Sequence, residues 1–211
     1  MYTLINENAE RLAQSFNKNS LANYRNLKSQ FDRTAYKRFY GMNGRGLTNA
    51  FFDAYFEIIE SRSIGGEALH LTPDSMESDF RRIVTYLEAI ESDGGHHHKI
   101  HFSFSTKLLH TLNENAPIYD SNISAFYFLP PTAGGTTDQR IEKCASQYAF
   151  LIGEYRRIES EGLLAAAIEA FSRHHEGFST ISFTKQADFI LWHFTKTLQK
   201  TEITQREILF R

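Results

Sequence analysis

One cysteine, four prolines and a single tryptophan in 211 residues set the first limits on this chain. With Cys144 alone it can neither close an internal disulfide nor build a cysteine-based zinc site, which excludes a disulfide scaffold and a zinc finger. A reducing, cytoplasmic setting is the expectation. Few prolines and only 12 glycines rule out collagen-like and low-complexity classes. Long hydrophobic runs are missing too: the longest aliphatic stretch, Leu163 to Ile168, is far short of the roughly 20 residues a bilayer requires. The opening MYTLINENAERL carries polar and acidic residues where a secretory signal needs an apolar core, so neither export nor a membrane partner is expected.

What the chain does have is rings. The 18 Phe and 10 Tyr, with the one Trp, make 14% of the residues, and 41% are hydrophobic overall, enough for a closed core. Apolar residues recur at helical spacing almost throughout. Leu4, Ile5, Leu12 and Phe16 outline a first helix, and Leu21, Tyr24, Leu27 and Phe31 a second that continues to Tyr40. Thr48 caps a third through Phe51 and Ile59, and Thr72-Pro73-Asp74 opens a fourth through Ile90. Ile100, Phe102 and Phe104 alternate as a strand would, but Leu108, Leu109 and Leu112 restore the helical period up to Asn113. Asp120 or Ser121 starts a short helix that Pro130 and Pro131 halt, and three more follow around Tyr148, Phe171 and Leu191. The expectation is an all-α fold, a compact bundle of eight or more helices, forming a single domain over 1–211. A subdivision near Gly94, into halves 1–95 and 96–211 that pack tightly, stays open.

The net charge of −2 conceals an asymmetry. Between Arg11 and Arg45 eight basic residues face Asp32 alone, whereas between Gly46 and Gly95 ten acidic residues face three basic ones. Arg25, Lys28, Arg33, Lys37, Arg38 and Arg45, interleaved with Phe16, Tyr24, Phe31, Tyr36, Phe39 and Tyr40, have the composition of a phosphate-tracking surface with stacking rings. The same pattern also suits a solvated helix face docked on the acidic stretch. Both readings stand at this point.

Motifs of chemistry are sparse. There is no phosphate loop, dinucleotide fingerprint or nucleophile elbow; GMNGRG, from Gly41 to Gly46, lacks the preceding strand such loops need. His96-His97-His98 are adjacent, so their imidazoles diverge where metal ligands must converge, and neither a metal nor another cofactor is called for. Cys144 falls on the apolar stripe of its helix. The richest stretch is FSFSTKLLHTLNENAPIYDSNISAF, from Phe102 to Phe126: an amphipathic helix, a loop, an extended Pro-apolar-apolar triplet, and an aspartate where the next helix begins. Asp120 there is a helix cap, a reactive carboxylate, or both, and Lys107 is a surface lysine or a cation aimed at a pocket.

Pro117-Ile118-Tyr119-Asp120 after a helix resembles the catalytic segment of the helix-hairpin-helix DNA glycosylase superfamily, and SFTKQADFILW, Ser182 to Trp192, resembles the closing helix of uncharacterised bacterial proteins with this core. The resemblance extends from about Lys99 to Lys196. It implies DNA as partner, Asp120 as the catalytic aspartate with Lys107 nearby, and Tyr119, His110, His101 and Trp192 around a flipped base. The family's glycine-rich hairpin, which binds phosphate, is replaced by Lys99-Ile100-His101-Phe102-Ser103, with no glycine. The lysine nucleophile of strand-cleaving members, at the hairpin's end, has His101 or Ser103 in its place, with Lys107 a turn later; a monofunctional glycosylase is the form implied. The alternative is a non-enzymatic interaction module that homodimerises through aromatic-rich faces.

Overall fold

A computed structural model describes residues 1–43, 46–93 and 100–200. Among them the chain forms α1 (Tyr2–Glu7), α2 (Ala9–Ser15), α3 (Lys18–Ser29), α4 (Arg33–Phe39) and α5 (Asn49–Ser61), then a two-residue hairpin of β1 (Ser63–Ile64) and β2 (Glu67–Ala68). There follow α6 (Met76–Asp93), α7 (Phe102–Leu112), α8 (Ser121–Phe126), α9 (Thr137–Ser160), α10 (Ala165–His174), a 3-10 turn (Phe178–Thr180) and α11 (Phe183–Lys200). The fold is all-α apart from that hairpin.

Local chemistry accounts for the boundaries. Thr48 accepts from Phe51 N–H at 3.0 Å, and Thr136 and Gln139 form a reciprocal capping box ahead of the 24-residue α9. Two helices read as continuous in the sequence are broken. The first stops at Asn8, whose backbone leaves the helical region (φ −106°, ψ 15°). The second stops at Gln30, and Asp32 recaps it by accepting from Ala35 N–H at 2.6 Å. Apolar spacing runs through both breaks unchanged, so periodicity could not reveal them. α6 begins at Met76 rather than at Thr72, because Thr72 to Ser75 form a turn: the buried Asp79 accepts from Leu71 N–H and Ser75 Oγ, both at 2.8 Å.

Two buried clusters hold the helices together. One gathers Tyr36, Phe51, Tyr55, Phe56, Phe80, Leu108 and Tyr148, drawing on α4 to α7 and the first half of α9. The other gathers Ile5, Phe16, Tyr24, Leu151, Phe171, Phe178 and Leu191, drawing on α1 to α3, α8, the second half of α9, α10 and α11. Each cluster therefore takes residues from both sides of Gly94, and α9 is common to both. Phe39 and Tyr119 pack against both, which marks the seam. The surplus of rings is spent in these cores: among the described residues the large apolar side chains left exposed are Met1, Phe31, Phe128 and Phe150.

Candidate functional site

At the seam between the clusters lies an open cleft of about 640 Å³, within the size range of small-molecule sites. Its wall takes residues from α3, α4, α7, the start of α8 and α11, so elements far apart in sequence meet there. Four of the residues singled out in the sequence line it together: Asp120, Lys107, His101 and Trp192.

Asp120 is both cap and cleft residue. Its Oδ1 accepts from Asn122 N–H and Ile123 N–H, each at 2.9 Å, which satisfies two orphan donors at the start of α8. Oδ2 takes no hydrogen bond among the described residues, so one carboxylate oxygen remains for a ligand. The preceding segment is firmly held. Ser182 donates to Glu114 O at 2.9 Å and Thr184 to Asn115 O at 3.3 Å, tying this loop to the first turn of α11; Thr106 Oγ1 accepts from Tyr119 N–H at 3.0 Å.

The first two turns of α11 carry two residues the sequence reading passed over. Lys185 and Asp188 line the cleft and are nearly inaccessible to solvent, with 3% and 6% exposure, and Lys185 Nζ donates to Asp188 Oδ2 at 2.6 Å. The ammonium also lies 4.4 Å from the Phe189 ring centroid and 5.1 Å from that of Tyr24, a favourable arrangement for a desolvated cation. Burial pushes the Asp188 carboxyl above the usual carboxylate range, with Asp120 adding to the shift, and the attraction of Lys185 and Lys107 only partly offsets it. An acid and a base three residues apart on a helix ordinarily read as a surface pair. The signal against that is the unbroken apolar run Phe189-Ile190-Leu191-Trp192 directly after the pair.

Lys107 sits across the cleft, half-buried, donating to Tyr40 O at 3.3 Å with its Nζ 5.1 Å from the Phe104 ring centroid. Trp192 lies under Lys196, whose Nζ is 4.2 Å from the indole. With Phe39, Phe104 and Phe189 these rings give the cleft flat apolar walls around two carboxylates and two amines.

Two other sequence candidates lie elsewhere. Tyr119 is stacked on Phe102 with ring centroids 3.8 Å apart and does not line the cleft. His110 is buried behind Tyr24, where its Nδ1–H donates to Ala116 O at 2.8 Å and its Nε2 accepts from Tyr24 Oη at 3.1 Å. Burial, reinforced by the Lys185 charge, lowers its pKa to about 3. The folded state thus refuses a proton that the unfolded chain takes up near pH 6.5, so stability is full above that pH and drains away as pH falls from 6.5 towards 3. Denaturant unfolding between pH 7 and 4 is expected to lose up to about 1.4 kcal/mol per pH unit through this residue. A His110→Gln variant with an unchanged pH slope would refute the assignment.

The basic segment is largely engaged. Lys28 pairs with Glu114, Arg33 Nε donates to Glu60 at 2.9 Å, and Lys37 Nζ lies 4.8 Å from the Phe52 ring centroid. Arg25 reaches Glu176 O at 3.5 Å, and Arg38 is exposed beside Phe39. Arg45 and His96 to His98 lie outside the described residues. Cys144 is buried with its thiol pKa raised by burial, which suits a core position. Among the described residues no three His, Cys, Asp or Glu side chains gather as a metal site requires, and no helix is long and apolar enough to cross a membrane.

Comparison of the chain with protein-family models, curated proteins and solved structures returns no match.

Proposed function

We propose that the cleft cleaves the bond between a base and its sugar in a nucleic-acid strand, as the resemblance of the PIYD segment implies. The observation that supports this most is the meeting of Asp120, with an oxygen to spare, and the buried Lys185 amine in one ring-walled cleft. Flat rings suit a base taken out of its stack. As the C1′–N bond lengthens, positive charge grows on the sugar, and a carboxylate held in place by two backbone N–H groups is already oriented to stabilise it.

The buried Lys185 favours a form with a covalent intermediate over the monofunctional one. It stands at the start of α11, directly after the turn that follows α10, whereas Lys107 belongs to α7. In this scheme Lys185 Nζ passes a proton to Asp188 and attacks C1′ as the amine, and the base departs with the bond's electron pair and takes up the proton that Asp188 holds; the sugar ring then opens, the C1′–O4′ electron pair and a proton from the nitrogen going to O4′, which leaves a Schiff base on Lys185. Burial raises the Asp188 pKa, a direction that favours transfer of the Lys185 proton to it. A non-catalytic dimer module is less favoured, because the rings that motivated it are buried in the cores.

The test uses the whole protein with oligonucleotides, single- and double-stranded, each carrying a damaged or deaminated base. Free base is expected in the supernatant, and borohydride is expected to trap a covalent adduct whose linkage maps to Lys185. Base release without any trapped adduct would return the reaction to water as nucleophile. Release of no base from any oligonucleotide would remove the proposal.

A further inference from the structure

The mouth of the cleft continues into a second, larger hollow of about 880 Å³ between α3 and α4; Ser20 and Phe39 line both. The chemistry of this groove is distinctive. Asn23, Asn26 and Gln30 project exposed side-chain amides along one side of α3 and its C-cap, and none has a hydrogen-bond partner among the described residues. Phe31, 42% exposed, and Phe39 add two rings, and Arg38 and Asp32 add one cation and one carboxylate to its lining.

Helix stability does not explain the amides. Asn is a poorer helix former than the Lys, Glu or Ala that an exposed position otherwise favours, and its side chain competes for backbone hydrogen bonds. α3 nevertheless carries Asn19, Asn23 and Asn26 within 12 residues. Nor is the groove suited to gripping a duplex by its phosphates, since Lys28, Arg33 and Lys37 of this segment are already engaged. Neutral amides paired with exposed rings match unpaired bases, whose hydrogen-bonding edges and faces are both open.

Building on the function proposed above, we infer that this groove seats the unpaired nucleotides flanking the reacting one, so that the preferred partner is single-stranded nucleic acid. An unpaired strand also spares the cost of extracting the base from a duplex. With few free cations, binding depends only weakly on salt: the slope of log affinity against log salt is near −1, about what one or two phosphate contacts on a single strand give.

Fluorescence anisotropy of the full chain with a labelled single strand of about 12 nucleotides, and with the same sequence as a duplex, tests this. Tighter binding of the single strand and a shallow salt slope are expected. The variant Asn23→Ala, Asn26→Ala, Gln30→Ala keeps or gains helix by circular dichroism and is expected to lose roughly tenfold in single-strand affinity. Preference for the duplex, or an unchanged affinity in the variant, overturns the inference. The two proposals fail separately. If the variant binds as wild type while base release and the Lys185 adduct persist, only the groove assignment falls; if single-strand binding depends on the amides but no base is ever released, only the chemistry falls.

Discussion

Replacing Lys185 by Met is expected to destabilise the protein by about 3–5 kcal/mol at neutral pH, read by denaturant unfolding. The Lys185 and Asp188 side chains are 4% and 8% exposed, so removing the ammonium strands a carboxylate that can neither reach water nor find another cation at 2.6 Å. The remedy open to Asp188 is to take up a proton, and burial has already raised its pKa. The deficit is therefore largest at pH 7 and narrows as the pH falls. Lys185→Met combined with Asp188→Leu removes both charges and is expected to recover most of the loss, since a buried pair contributes little net stability over an apolar replacement. If the single variant loses less than about 1 kcal/mol, water reaches the pair and its description as nearly inaccessible to solvent is wrong. Activity is lost in both variants on the proposed scheme, so stability and chemistry separate cleanly in the double variant.

Asp120→Asn isolates the other half of the site. Asparagine caps a helix about as well as aspartate, so the Oδ1 bonds to Asn122 and Ile123 N–H survive and unfolding should shift by no more than about 0.5 kcal/mol. The negative charge is gone, however. Where a carboxylate stabilises a developing cation, loss of that charge is expected to slow base release by about 10²- to 10³-fold, comparable to removing a preorganised electrostatic partner elsewhere. Asp120→Ala loses cap and charge together, adding about 0.5–2 kcal/mol of destabilisation. Unchanged base release by Asp120→Asn would leave Asp120 as a cap alone.

How much of this could be read from the residues depended on the range of the interaction. Caps are local, and Thr48 and Asp120 announce themselves within three or four positions. Helix breaks at Asn8 and Gln30 were hidden because Leu4 to Phe16 and Leu21 to Tyr40 keep their apolar period across them. In the cleft, Asp120, Lys107, His101 and Trp192 were legible as chemically capable residues in suggestive places, and the fold brings them together. His110 and Tyr119 were not distinguishable from them in sequence. Only the three-dimensional packing reveals that one is sealed between Tyr24 and Ala116 and the other stacked on Phe102. The Lys185–Asp188 pair was missed for a converse reason: the groups it interacts with, Tyr24 and Asp120, lie on segments more than sixty residues upstream.

The interleaving of the two cores also bears on when the cleft comes into being during synthesis. α1 and α2 pack on α10 and α11, and the cleft wall runs from Ser20 to Trp192. As the chain emerges, α4 to α7 and the first part of α9 can close their cluster, while α1 and α2 must wait for partners more than 150 residues further on. Such long-range closures are late and entropically costly. The aromatic face of Phe16, which packs on Phe171 and Phe189, is therefore uncovered for most of translation and is buried by the same docking of α10 and α11 that delivers Lys185 to Asp120.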